Sequence, residues 1–446
     1  MERPDSTCEI ITVRYDKQMV ALNLLIKQKA FEAGFDMVGI APLRVSWDLD
    51  FARQWVEHGY GGEMHYLQDP KRDDPRQILP SARSVVCVGL IYNSPLPYST
   101  EVRGQEPEAE TASVSSRRSP DARADGPRRT DSRLRAWISR YAWGRDYHDV
   151  MRKKLEQLRL AIEHASAGAE TRVYVDTGPV VERAFARHSG IGWMGKNTCL
   201  ISPAKGSWFF LGVLLTNLHL EPDFPAADRC GSCARCLDAC PTGALVKPYV
   251  MDASRCIAYF TIELKGFIPE KYRPAIGSNV FGCDICQDVC PWNRRQKAEA
   301  RSQNDGGSCQ PSAVGDQTRE KGLGRVGAAT TTLPEFQPIE VDLRQGGTGM
   351  AFEGTTDEGQ RTTSRFSLFN PRLENLAVLS DDDFRRAFAR SPIKRTKYRA
   401  WLRNLCVVMG NSGDRRFIPK LEALARHDDP IVREHAQWAL DRLPRV

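Results

Sequence analysis

The residues best suited to chemistry are cysteines. Cys230, Cys233, Cys236 and Cys240 form a C-x2-C-x2-C-x3-C run closed by Pro241, and Cys283, Cys286 and Cys290 form a C-x2-C-x3-C run closed by Pro291. The first spacing serves paired 4Fe-4S clusters, in which three neighbouring thiolates reach one cubane and the fourth turns away to a second. The second run is one thiolate short, and Cys256, between the two, fills the gap. Cys230, Cys233, Cys236 and Cys290 are therefore assigned to one cluster, and Cys240, Cys256, Cys283 and Cys286 to the other. Two-residue gaps let a tight loop aim successive sulfurs and backbone N–H groups at one cubane. Gly231 and Gly282 permit the close approach, and the prolines keep the turn from continuing as a helix. Two other fates compete: structural zinc, which favours longer spacers between C-x2-C pairs, and disulfides, which need an oxidising compartment. Cys87, Cys199 and Cys406 lie in apolar settings that suit small buried hydrophobes.

Stepping outward, 446 residues with 41% hydrophobic composition allow roughly two to four domains with real cores. The 63 basic against 56 acidic residues permit a nucleic-acid partner without requiring one, so local charge placement matters more than the total. No stretch has eighteen consecutive apolar residues, and the start of the chain has neither a signal-peptide core nor a twin-arginine pair. A cytoplasmic protein without membrane contact is expected, in a compartment where reduced thiolates persist.

Residues 16–34 carry Met19, Leu22, Leu25, Ile26 and Ala30 at a helical period ended by Gly34, and 35–41 read as a strand. A short helix over 51–58 and a loop over 64–80, rich in charge and proline, lead to a strand over 84–90. Order resumes at 138–148, followed by a helix through Met151, Leu155, Leu158 and Ile162, a strand at 172–175, and a turn at 176–182 into another helix. A glycine-spaced loop at 191–197 and a continuous apolar strand at 208–215, suited to mid-sheet, complete the region. Alternating helix and strand predict an α/β layer architecture. Residues 101–131 hold almost no large apolar side chain and predict a disordered insertion, while 301–360, rich in Gly, Ser, Gln and Thr, predict a flexible linker. Helices over 399–409, 417–426 and 428–440, joined by Gly and Asp turns, resemble HEAT repeats; one repeat cannot stand alone and must pack on something else.

Between 384 and 403 stand Arg385, Arg386, Arg390, Lys394, Arg395, Lys397, Arg399 and Arg403, with no acid and with Tyr398 and Trp401 interleaved. Cations beside aromatic rings suit a phosphate backbone with a stacked base. The alternative is a solvated helical face balancing Asp381, Asp382 and Asp383.

Taken together, several segments resemble the epoxyqueuosine reductases, which are similar to reductive dehalogenases in joining a cobalamin domain to a two-cluster ferredoxin domain. They are the loop 69–80 with its following strand, segments 174–186 and 190–198, the cysteine runs through Asn293, and 391–397 with the helical tail. The insertion at 101–131 and the long linker depart from that family's pattern and put surface loops in doubt rather than chemistry. The resemblance implies an α/β (α+β) cobalamin-binding domain over 1–228, a two-cluster ferredoxin-like domain over 229–296, a low-complexity linker over 297–366 and a basic HEAT-like helical region over 367–446. It also implies an enzyme that removes the epoxide oxygen of epoxyqueuosine at the tRNA wobble position to give queuosine, using two 4Fe-4S clusters, cobalamin and an external low-potential electron donor.

Since no Asp-x-His-x-x-Gly motif is present, base-off cobalamin without a protein histidine on cobalt is expected. By the same resemblance Asp176 is the proton donor, although on local grounds it reads as a helix N-cap. Arg72, Lys196, Asn197 and Ser207 are the further cofactor contacts it suggests. Lys394, Arg395, Lys397, Arg399 and Arg403 are the tRNA contacts, to an anticodon stem-loop, and a monomer is expected. The rivals are a reductive dehalogenase of small molecules, against which the basic tail and missing export signal argue, and a ferredoxin-type electron carrier, for which the large region ahead of the clusters is superfluous.

Overall fold

A computed structural model describes residues 17–102, 134–293, 329–342 and 365–444. The expected disordered insertion lies almost wholly outside them, as does most of the expected linker. Helix α1 (Lys17–Glu32) leads through Gly34, at φ 82°, into strand β1 (Met37–Pro42). Helix α2 (Ser46–Glu57) begins earlier than its hydrophobic pattern suggested, and β2 (Ser84–Ile91) follows after three short 3-10 turns. Helix α3 (Tyr147–Ala165), strand β3 (Thr171–Tyr174), helix α4 (Glu182–Arg187) and strand β4 (Phe209–Thr216) complete this part.

The four strands form one sheet in the order β1-β2-β4-β3, with every pair antiparallel; Val86 faces Ile40 on one side and Leu214 on the other. Alternation of helix and strand therefore did not mean a parallel sheet, and the architecture is α+β. All eight β2 residues are buried, because both faces are covered. Val86, Val88 and Leu214 pack with Ile26, Ala30, Met151, Leu155 and Leu158 of α1 and α3. Val85, Cys87 and Val213 pack with Ala184 and Phe185 of α4.

The C-terminal helices α5 (Lys397–Ser412), α6 (Ile418–Leu424) and α7 (Pro430–Arg442) share one core with Trp137, Trp143, Val280 and Phe281, centred on the fully buried Trp401. Asp429 caps α7 by accepting from the Ile431 and Val432 N–H groups. The tail thus packs on the rest of the protein. Part of the expected linker is structured after all. Glu340–Asp342 pairs antiparallel with Arg365–Ser367, Phe336 is buried against the sheet helices and Val341 joins the tail core. A few apolar side chains in a polar stretch suffice when a preformed groove receives them.

Candidate active site

At the end of β3 the backbone turns sharply: Asp176 sits at φ 55°, left-handed for a residue with a side chain. Its N–H donates to Glu182 Oε1 at 2.5 Å, and a Cβ at Gly178 would collide with the Tyr174 ring at 2.2 Å, so this bend tolerates only glycine there. The N-cap expectation for Asp176 does not hold. Helix α4 starts at Glu182, Val181 occupies its cap position, and the Asp176 carboxylate points elsewhere.

Its partners come from distant parts of the chain. Tyr147 Oη donates to Asp176 Oδ2 at 2.6 Å, and His148 Nε2 and Arg395 Nη1 each lie 3.4 Å from the same oxygen. Tyr147 and His148 open α3, whose N-cap Asp146 accepts from the His148 N–H and lies 2.8 Å from its Nδ1. Lys394 pairs with Asp146 at 2.9 Å, and Arg395 reaches Glu263 at 3.3 Å.

These contacts fix the charges. Burial alone would raise the Asp176 pKa, but His148, Tyr147 and Arg395 outweigh it and hold the carboxyl well below the usual range. Burial would lower His148, yet Asp146 and Asp176 push it up to about 9. Burial, then the Asp176 charge, push Glu182 up to about 7. At neutral pH the resting proton therefore sits on His148 rather than on Asp176, against the expectation of a waiting carboxylic acid.

The Asp176 side chain is 47% exposed, into a cavity of about 1160 Å³ walled by α2, the loop of Tyr66 and Arg72, α4, Trp193 and the segment from Met251 to Glu263. That volume exceeds the range of roughly 300–1,000 Å³ for ordinary small-molecule pockets. Cys256 lines the same cavity. The Trp193 indole N–H, buried beside it, has no partner. Among the described residues, none that lines the cavity is a histidine. A large, mostly apolar space with one orphaned donor and no imidazole fits a corrin carried without a protein ligand on cobalt.

The cysteine thiols of the two runs lie close enough to influence one another. Burial raises Cys290 to about 12, with Cys230 and Cys236 adding to the effect, and burial raises Cys236 with Cys230 and Cys233 adding. Cys256 is raised by burial, with Cys240 and Cys199 adding, and Cys286 by Cys199 and burial, with Cys283 and Cys256 adding. Such clustered thiols release their protons when iron binds. Cys87 and Cys406 are buried hydrophobes as expected, but Cys199 is not merely that: it hydrogen-bonds to Cys286 and borders the second set.

Of the other expected cofactor contacts, only Arg72 lines the cavity, and its guanidinium donates to Gly178 O at 3.0 Å and Val180 O at 3.4 Å, pinning the Asp176 turn. Lys196 Nζ bonds the carbonyls of Gly231 and Cys233 at 2.6 and 3.0 Å, and Asn197 Nδ2 bonds Cys286 O at 3.2 Å. Both brace the cysteine loops, because the expected glycine-rich loop is a small hairpin, Trp193–Met194 with Leu200–Ile201, laid against those loops. Ser207 is locked by Asn293 and Gln287 at 2.8 and 3.0 Å, away from the cavity.

Lys394, Arg395, Lys397 and Arg399 border a groove that also holds Tyr147, His148 and Arg152, so the basic segment meets the Asp176 network. Arg403 and Trp401 do not belong there. Trp401 is core, and Arg403 is buried, donating to Phe260 O, Leu264 O and Gly266 O at 2.5, 2.8 and 2.8 Å. Arg403→Ala leaves three interior carbonyls unpaired and is expected to cost at least about 3 kcal/mol. Thermal unfolding should show a clear drop in Tm, whereas exposed Lys397→Ala should leave Tm in place.

A family model described as "4Fe-4S double cluster binding domain" matches residues 229–293, and one described as "Epoxyqueuosine reductase QueG, DUF1730" matches 72–177. The chain is 35% identical to the epoxyqueuosine reductase of Xanthomonas campestris over 93% of this chain and 94% of that one. It is 37% identical to that of Pseudomonas aeruginosa over 94% and 93%. The crystal structure of an epoxyqueuosine reductase with an epoxyqueuosine-modified tRNA stem loop superposes with a TM-score of 0.69 at 27% identity, covering 95% of this chain and 90% of that one.

Proposed function

This chain belongs to the epoxyqueuosine reductases, and from that premise we propose that it reduces the epoxide of epoxyqueuosine at the wobble position of tRNA. In that reaction both C–O bonds of the epoxide break, a carbon–carbon double bond forms, and oxygen leaves as water after taking two electrons and two protons. The observation that carries the reading is that Cys256, of the second cysteine set, and Asp176 border one cavity, with the basic groove at its Asp176 end. Bound 4Fe-4S clusters and cobalamin would supply electrons singly at that cavity.

The protein's own part is proton supply and positioning. Asp176 faces the cavity, His148 stands behind it carrying a proton, and Tyr147 and Arg395 hold the carboxylate in place. As negative charge grows on the epoxide oxygen, Asp176 passes on the proton that His148 stores. Lys394, Arg395, Lys397 and Arg399 supply cations for the anticodon stem-loop backbone. The test is nucleoside analysis of tRNA from cells lacking the gene. Accumulated epoxyqueuosine, reversed by the gene in trans, supports the reading, and unchanged queuosine refutes it.

A pH dependence follows from His148, whose pKa is raised in the folded protein. Its proton is in place at neutral pH and is lost over the pH range around its folded-state pKa of about 9. Single-turnover rates should fall across that window, and His148→Phe should be slow throughout and lack this limb. An unaltered profile in the variant would take His148 out of the proton path.

A further inference from the structure

Residues 329–342 cross the protein as a strap, directly behind the start of α3. At one end Asn93, just past β2, accepts the Thr331 N–H on its carbonyl at 2.7 Å and donates its side-chain Nδ2 to Ala329 O at 3.1 Å. In the middle the Arg145 N–H donates to Glu335 O at 2.6 Å and the Ile339 N–H to Trp143 O at 2.8 Å, so two backbone bonds bracket Gly144. A Cβ on Gly144 would collide with Glu335 O and lie 2.6 Å from Phe336 Cα, so only glycine lets the two chains come this close. At the other end Val341 enters the tail core. From the strap a row of rings leads to the site. Phe336 is 2% exposed, with its ring centre 5.1 Å from that of Phe210 on β4. Phe210 lies 4.2 Å from Tyr147 with planes 5° apart, and Tyr147 lies 4.1 Å from His148 at 28°. Tyr147 and His148 are the residues of α3 that meet the Asp176 carboxylate. A close-packed interior passes a displacement along such a row rather than absorbing it.

We propose that this strap braces the proton network, with Phe336 as a positioning residue that sets where Tyr147 and His148 stand relative to Asp176. Phe336 lines neither the cavity nor the basic groove, so it acts only through the residues it packs on. Its effect on turnover rests on the function proposed above. Trimming Phe336 leaves a void into which Phe210 moves, and Tyr147 follows the ring it is stacked on. Hydrogen bonds weaken steeply with distance and angle, so a small slide loosens the 2.6 Å bond from Tyr147 to Asp176 and opens the 3.4 Å pair of His148 with the same oxygen. His148 is surrounded by Asp146, Asp149 and Arg152 on or beside its own helix, by Asp176 after β3, and by Lys394 and Arg395 before α5. Asp146 caps the same turn and moves with His148, whereas Asp176 stays with β3. A slide therefore separates His148 from one of the two carboxylates that hold its proton, and its pKa falls.

The test is an NMR titration of the histidine rings in the cluster-loaded, full-length protein, with the His148 signal assigned by its loss in His148→Phe, beside single-turnover rates across pH. Phe336→Ala should lower the His148 pKa from about 9 by about one pH unit, a tenfold loss of proton affinity, and move the alkaline limb of the rate profile by the same amount. Turnover should slow by up to about 10²-fold, the cost of misplacing a reacting group from a distance. Phe336→Leu, which keeps most of the packed volume, should restore most of both, and iron content and stem-loop affinity should stay unchanged throughout. A lowered Tm with the His148 titration and the alkaline limb both in place would make Phe336 ordinary core and overturn the proposal. Phe336→Val is read in the same way should the alanine variant not fold. A protein that leaves epoxyqueuosine untouched yet shows the His148 shift would refute the proposed function and keep the brace. An active protein whose His148 titration ignores Phe336 would keep the function and refute the brace.

Discussion

Asp176→Asn is expected to slow a single turnover about 10²–10⁴-fold, the range for loss of a positioned proton donor. Iron content, corrin uptake and stem-loop affinity should stay near those of the unaltered protein. Asparagine keeps the shape and can still accept from Tyr147, whose hydroxyl lies 2.6 Å from Oδ2. It can neither hold a proton for the epoxide oxygen nor balance the two cations His148 and Arg395, each 3.4 Å from that atom. The same substitution should therefore lower the His148 pKa from about 9, since Asp176 helps to raise it, and move the alkaline limb of the rate profile toward neutrality. Both shifts can be read from one set of pre-steady-state measurements across pH. A variant that turns over at full speed would show that solvent supplies both protons and that the network only shapes the pocket.

Cys256→Ala should abolish turnover and remove about half of the bound iron and sulfide, because one of two four-thiolate sets loses a member. The effect tests the assignment of the one ligand that lies outside both motifs. It also tests the wiring, since Cys256 is the cysteine of the second set that borders the cavity. Cys199 complicates the outcome in a useful way. Its thiol interacts with Cys286 and bears on Cys256 as well, so it is the thiol best placed to stand in. Iron near the unaltered level in Cys256→Ala, falling by about half only when Cys199→Ser is added, would show such a replacement; full iron in the double variant would overturn the assignment.

The cysteine pattern was legible because cluster ligation is largely local: short gaps aim sulfurs without help from the rest of the fold. The one distant member, Cys256, was assigned by counting. Strands β2 and β4 were legible too, since a strand buried on both faces reads as a continuous apolar run, but their antiparallel direction was not, because alternation of elements says nothing about which end of a strand meets its neighbour.

The proton network could not be read from spacing. Asp176 meets Tyr147 and Arg395 across long separations in the chain, and only the folded sheet and tail bring them together. The i, i+4, i+8 aromatic stripe of α2, Trp47, Phe51 and Trp55, was not read, because the helix was expected to begin only at residue 51. Arg403 and Trp401 failed the other way. Composition placed them on a basic, aromatic surface, whereas α5 is enclosed on nearly every side, so even an arginine goes inward once backbone carbonyls wait for it. Lys196 and Asn197 were placed near the right chemistry on the wrong partner, because a glycine-spaced turn can as readily hug a cysteine loop as a flat ring.

The carbonyls that Arg403 and Asn404 grip belong to residues 260–266 and to Val280, between Cys256 and the second cysteine run. A helix made late in translation thus clamps the span that carries thiols made much earlier. Removing the tail is therefore expected to free the backbone between Cys256 and Cys283 as well as to expose the helical core.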